Sequence, residues 1–87
     1  MRIEYKKSFV KSLRKLSRKH QSDVQRAVAL FIEEPFHSSL KNHALQGTMK
    51  SLRSISAGYD LRIVFEEKDG YAVVVMIMVG THNQVYY

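Results

Sequence analysis

Leu52-Arg53-Ser54-Ile55-Ser56-Ala57-Gly58-Tyr59-Asp60-Leu61-Arg62-Ile63-Val64-Phe65-Glu66, followed by Asp69-Gly70 and the apolar run Tyr71 to Val79, is the stretch that decides the fold. It reads as three strands: Leu52 to Ser56, turning at Ala57-Gly58; Tyr59 to Glu66, turning at Asp69-Gly70; and Tyr71 to Val79. Asp-Gly between two apolar runs is a strong hairpin signal, because both residues tolerate positive φ. In the second strand the period of two puts Tyr59, Leu61, Ile63 and Phe65 on one face. Asp60, Arg62, Val64 and Glu66 fall on the other, so a carboxylate and a guanidinium are expected side by side on a central strand. Gly80-Thr81-His82-Asn83-Gln84-Val85-Tyr86 then lies just past the third strand.

Upstream, Arg2-Ile3-Glu4-Tyr5 is a candidate short strand. From about Lys6 to Lys19 the period becomes helical, with Phe9, Leu13 and Leu16 at i, i+4 and i+7 and basic residues opposite. Lys19-His20-Gln21 reads as a connection. Ser22 precedes Gln25 by the spacing of a capping box, opening a second helix whose apolar stripe is Val24, Ala27, Val28, Phe31 and Ile32. Pro35 ends that helix, since proline disfavours helical backbone in the residue before it. Phe36 to Thr48 has no clear period, and a loop of this length in a small domain is usually functional or carries short turns of its own. The expected layout is β-α-α-β-β-β over residues 1–87: one domain, an α+β two-layer sandwich with an antiparallel sheet packed on two N-terminal helices. The face bearing Asp60 and Arg62 is expected to stay partly open.

Residues 1–19 carry eight Lys or Arg against one Glu, while the remainder of the chain is close to neutral, so the net charge of +6 sits at the amino end. Such a stripe marks a polyanion partner such as nucleic acid, or else a solvated helix face. The chain has no cysteine, which excludes a disulfide framework and a thiolate metal site. It shows neither a bilayer-length apolar run nor a signal-peptide pattern, so a cytoplasmic protein is expected. The four histidines have no i, i+4 pairing or carboxylate cluster beside them; no metal site and no cofactor is expected.

The order strand–helix–helix, then His43-Ala44-Leu45-Gln46-Gly47, Gly58-Tyr59-Asp60-Leu61-Arg62-Ile63-Val64-Phe65 and Val79-Gly80-Thr81-His82…Val85-Tyr86, resembles the RelE/ParE superfamily of toxins from bacterial toxin–antitoxin modules. The resemblance covers essentially the whole chain, and His43 to Gly47 with Gly80-Thr81-His82 look most like the YafQ branch. For the RelE and YafQ types it implies cleavage of messenger RNA in the decoding site of the ribosome, and a cognate antitoxin as partner. For the ParE type it implies gyrase poisoning instead.

Metal-free RNA cleavage uses the neighbouring 2′-OH as nucleophile. It needs a base for that proton, cations for the charged phosphorane and an acid for the leaving 5′ oxygen. His82 is the candidate acid, since an imidazole near neutral pH can hold and give a proton; the alternative is an exposed histidine in a terminal turn. Asp60 matches an aspartate that in YafQ-like toxins acts as base or orients a partner, with a surface ion pair to Arg62 or Arg53 as the other reading. His43 matches a catalytic histidine before Leu-Gln-Gly, against a plain loop histidine. Arg62 lies where RelE-like toxins hold the scissile phosphate, which suits a guanidinium because it binds two phosphate oxygens at once. Arg53 occupies the place of another basic residue, and the two arginines are candidates for a clamp. Tyr86 either stacks on a base or packs the last turn onto the sheet, and Tyr87 reads as the end of the chain. Lys50 and the helical Lys11, Arg14, Lys15 and Arg18 are candidate RNA contacts; His20 and His37 read as surface residues.

Two departures from the YafQ pattern stand out. Ser56 replaces a histidine shortly before the aspartate, and Met78-Val79 replaces an arginine before Gly-Thr-His. One proton carrier and one cation are thus missing. Either Arg62 replaces the cation, or the chain is a degenerate relative that only binds an antitoxin or nucleic acid.

Overall fold

A computed structural model describes residues 1–86; Tyr87, expected as the chain's end, lies outside the described residues. The elements are β1 (Arg2–Tyr5), α1 (Lys7–Arg14), α2 (Arg18–Glu33), β2 (His43–Ala44), β3 (Arg53–Ser56), β4 (Arg62–Lys68), β5 (Val73–Gly80) and α3 (His82–Val85). The five strands form one sheet in the order β1-β5-β4-β3-β2, with β1 parallel to β5 and the other pairs antiparallel. The α+β class is as expected, but the sheet is mixed rather than antiparallel throughout, because the first strand joins β5 in parallel after the crossover through the helices. Two elements are additional: the two-residue edge strand β2, taken from the irregular stretch, and the short helix α3.

The helices are bounded differently from the periodicity reading. α1 stops at Arg14, and Lys15 and Leu16 tighten its end through bonds to Ser12 O and Leu13 O. The Gln21 amide donates to the Leu13 and Leu16 carbonyls at 3.2 and 3.1 Å, filling acceptors that a helix end leaves open. α2 therefore begins at Arg18, where Ser17 Oγ accepts from His20 N at 3.1 Å; the expected start at Ser22 lies inside the helix. Its far end agrees: Glu34, before Pro35, is non-helical.

α2 turns Val24, Ala27 and Phe31 into the core, where they meet Ile63, Phe65, Val74 and Met76 of the sheet. Phe31 and Phe65 meet edge-on with ring centroids 5.0 Å apart. Ile32, expected in the buried stripe, is exposed.

β5 does not alternate regularly. Val64 of β4 faces Met78 while its neighbour Phe65 faces Met76, so Ile77 is an extra, bulged residue. Val74 and Met76 face the helices, and beyond the bulge Val79 does so again. α1 takes up polar groups at this irregularity: Ser8 Oγ donates to Ile77 O, and Ser12 Oγ accepts from Val79 N at 3.1 Å.

The sheet face away from the helices is not open at its centre, because Ser54 and Val64 are both fully buried. The chain returns through α3, buries Val85, and brings the Tyr86 hydroxyl into a hydrogen bond with Ser54 Oγ.

Candidate active site

His82 is placed by a compact unit. Thr81 Oγ1 accepts from Gln84 N at 3.3 Å and Gln84 Oε1 accepts from Thr81 N at 2.8 Å, a complete capping box. A Cβ on Gly80 would lie 2.6 Å from Gln84 Oε1, so the box closes over a residue with no side chain. Gly-Thr-His is thus a glycine that makes room, a threonine that caps, and a histidine that opens the helix. The His82 imidazole is exposed and meets the Tyr86 ring edge-on, centroids 4.5 Å apart.

His82 faces His43 across a cleft of about 360 Å³ that Gln46, Met49 and Tyr86 also line. His43 Nδ1 lies 2.8 Å from the Lys41 carbonyl. A carbonyl can only accept, so Nδ1 carries the hydrogen and the neutral ring keeps its lone pair on Nε2. Asn42, next to it, anchors the segment by donating to Pro35 O and Tyr71 Oη and accepting from Arg53 Nε at 2.9 Å.

The expected pairing of Asp60 with Arg62 on one strand face does not occur. β4 begins only at Arg62, and Asp60 sits in the preceding turn with φ 55°, where strand alternation has no meaning. Asp60 Oδ1 instead accepts from His82 N at 3.3 Å, tying the β3–β4 turn to the start of α3. Arg62 Nη1 bonds Ser56 Oγ and the carbonyls of Gly58 and Leu61 at 3.4, 3.3 and 3.1 Å. Half of its fork thus braces the turn. Ser56, in the place of the missing histidine, is part of the same turn through Gly58.

Nor do Arg53 and Arg62 form a clamp. Arg53 shares a face with the core residue Ile55, whereas Arg62 pairs with Ser56 on the other side of the alternation. Arg53 bonds Asn42 and lies over the Phe36 ring, 5.7 Å from its centroid. Lys50 ends the short 3-10 turn Gly47–Met49 and is exposed.

Lys11 and Arg14 occupy the last turn of α1, where cations also suit the helix dipole. Lys15 lines a separate cleft with Met78, Gln84 and Val85, which brings the end of α1 next to α3. Arg18 opens α2, whose first turn has no acidic residue, and there a cation opposes the dipole.

Sequence reasoning missed Ser54, Asn42, Gln46 and Met49. Ser54 had a signal, since alternation sets it opposite Ile55 on the face reached by Tyr86. The others lie in a stretch without any period.

The arrangement is an α+β fold, two main helices on a five-stranded mixed sheet, with two histidines and a tyrosine lining one cleft beside it. The family model described as bacterial toxin of type II toxin–antitoxin system, YafQ, matches residues 1–87, and the chain belongs to that family. Comparison with curated proteins gives no match. Among solved structures, YafQ from E. coli strain BL21(DE3) is 22% identical over 100% of both chains, with a TM-score of 0.83. The toxin fold also matches in the E. coli DinJ–YafQ complex, 22% identical over 100% of both chains, TM-score 0.80. A YoeB/ParE toxin from Agrobacterium tumefaciens, 15% identical, matches over 94% of this chain and 99% of its own with a TM-score of 0.75. Identities this low speak for the fold alone.

Proposed function

We propose that the chain is a metal-independent endoribonuclease, a single-domain toxin over residues 1–87 that cleaves messenger RNA at the ribosomal A site and so stops translation. The observation that carries this reading is the meeting of His43, His82 and Tyr86 in one cleft, from segments far apart in sequence, in a member of the YafQ family. His43 Nε2 takes the proton of the 2′-OH as its oxygen attacks phosphorus. The P–O5′ bond breaks, and His82 protonates the leaving oxygen. The products are a 2′,3′-cyclic phosphate and a 5′-OH. Asp60 acts as a positioning residue through the His82 amide, in keeping with the orienting role implied for it. The Nε and Nη2 side of Arg62 supplies the cation for the phosphorane. Tyr86 presents its ring to a base, with its hydroxyl held by Ser54.

The ribosome is the platform, and Lys11, Arg14, Lys15, Arg18, Lys50 and Arg53 are the basic residues assigned to RNA. Lys15 and its neighbours stand at the same end as α3, which favours a continuous RNA track. Arg53 is the weakest of the set, because Asn42 already engages it. The partner in the resting state is a cognate antitoxin, as the name of the DinJ–YafQ complex has it for that toxin. An apolar groove of about 470 Å³ between α1 and α2, lined by Tyr5, Val10, Leu13, Val28 and Ile32, suits an amphipathic antitoxin helix. No helix among the described residues is long and apolar enough to cross a membrane; the proposed place of action is the cytoplasm, where translating ribosomes are met.

The test is induction of the wild type and His82→Ala in growing cells, with mapping of new messenger RNA ends. Cuts within translated messages, lost in His82→Ala, are expected. Growth arrest without cuts would point to gyrase, and a folded protein giving neither would mean a degenerate toxin.

A further inference from the structure

The turn between β3 and β4 is held more firmly than its length requires. Ala57 N donates to Leu61 O at 2.8 Å, Arg62 Nη1 bonds two of the turn's carbonyls, and Asp60 is tied to the His82 amide. At the tip of this braced turn Tyr59 is 100% exposed. Its ring gains nothing from burial, and tyrosine is not among the residues that turns select. The braced backbone fixes where Tyr59 emerges, and its ring stands in solvent.

That ring borders a cleft of about 440 Å³, distinct from the histidine cleft, lined also by Ser39, Lys41, Ser56, Asp60 and Arg62. Two cations against one carboxylate leave the lining positive, and the carboxylate is turned to the His82 amide. The Lys41 backbone is held at φ 51° with its carbonyl on His43 Nδ1. The two clefts are therefore joined twice: through Lys41 to His43, and through Asp60 to His82.

An exposed aromatic beside a positive groove is the combination that binds single-stranded nucleic acid, with bases stacking and phosphates tracking the cations. We propose that this cleft is a second nucleotide subsite, in which a base flanking the scissile phosphate stacks on Tyr59 and the adjoining phosphate binds Lys41. The inference rests on the RNA-cleavage reading above. Since every base has a π-face, the subsite adds affinity without selecting a base.

The test compares wild type, Tyr59→Ala, Tyr59→Phe and Lys41→Gln on ribosomes programmed with a defined message. Tyr59→Ala should lower kcat/KM by about 5- to 150-fold, mainly through KM, with unchanged cut positions. Tyr59→Phe should retain most activity, because the ring is what stacks. Lys41→Gln should flatten the dependence of log affinity on log salt by roughly 0.7–0.9. Thermal melting should be the same for all four, as both side chains are exposed. Wild-type cutting with full activity in Tyr59→Ala would overturn the subsite and leave the proposed function standing. Tyr59→Ala that cuts normally but loses the antitoxin would make the ring a protein contact, and so also overturn it. A wild type that does not cut would overturn the ribonuclease reading first, and the subsite with it.

Discussion

Tyr86→Phe removes one oxygen at the surface of the molecule and should cost more than its exposure suggests. Its partner, Ser54, is 0% exposed. Without the Tyr86 hydroxyl, Ser54 Oγ is left buried and unpaired, a loss of roughly 1–3 kcal/mol. Ser54→Ala breaks the same bond from the other side, but the half-exposed phenol then turns to water. That change costs only the net value of a hydrogen bond, about 0.5–1.5 kcal/mol. The double variant leaves nothing buried and unpaired, so it should resemble Ser54→Ala rather than the sum of the two. The cycle therefore predicts a coupling equal to the cost of Tyr86→Phe alone, roughly 1–3 kcal/mol. In a domain of this size each ~1 kcal/mol moves Tm by roughly 4–8 °C, so the order of the variants is readable by thermal melting or urea titration. Equal costs for the singles, adding in the double, would refute the dependence of Ser54 on Tyr86. The activity of Tyr86→Phe separates the two roles of the residue: the ring stays against His82, so cleavage should survive where stability falls.

Two further changes should separate fold from function. Arg18→Glu replaces a cation that opposes the α2 dipole with a favourable anion, so at low salt stability should rise by about 0.5–1 kcal/mol in a melt while ribosome affinity falls. Gly80→Ala must push Gln84 aside and open the capping box of α3, a cost of about 1 kcal/mol in a melt with a larger loss in cleavage rate, because His82 is the first residue of that helix.

The fold was legible where alternation and helical period run undisturbed. Ile63 and Phe65 were placed in the core by the period of two, and Phe9, Val24, Ala27 and Phe31 by the helical stripe. It was illegible wherever the backbone leaves regular geometry. Tyr59 reads with Leu61, Ile63 and Phe65, yet it is exposed because Asp60 takes positive φ and breaks the alternation before the strand begins. The uniformly apolar run from Tyr71 to Val79 carries no contrast by which a bulge could be seen. His43-Ala44 is too short to show a period at all. The break between α1 and α2 hides within a continuous basic stretch, where Ser17 and Ser22 both offer a cap.

In the candidate site, motif residues named His43, Asp60, His82 and Tyr86, and the structure brings them to one end of the sheet. The partnerships that hold them there join residues far apart in the chain, as in Asp60 with His82 and Ser54 with Tyr86. Spacing along a sequence does not reveal such pairs. Arg53 and Arg62 form no clamp because the register pairs Arg53 with Phe65 and Arg62 with Ser56, on opposite faces of the sheet. Alternation along one strand carries no information on that register.

The extra residue at Ile77 has a consequence for how the chain can change length. A regular strand that loses one residue turns everything beyond the loss to its opposite side, and here that would carry Val79 out of the core and His82 away from His43. β5 already holds one residue more than its ladder with β4 needs. Losing it draws the strand into an ordinary ladder with Met76, Met78 and Val79 on their present sides. The bulge is slack in the line that leads to His82, and it makes this strand tolerant of a shortening that would turn a regular one inside out.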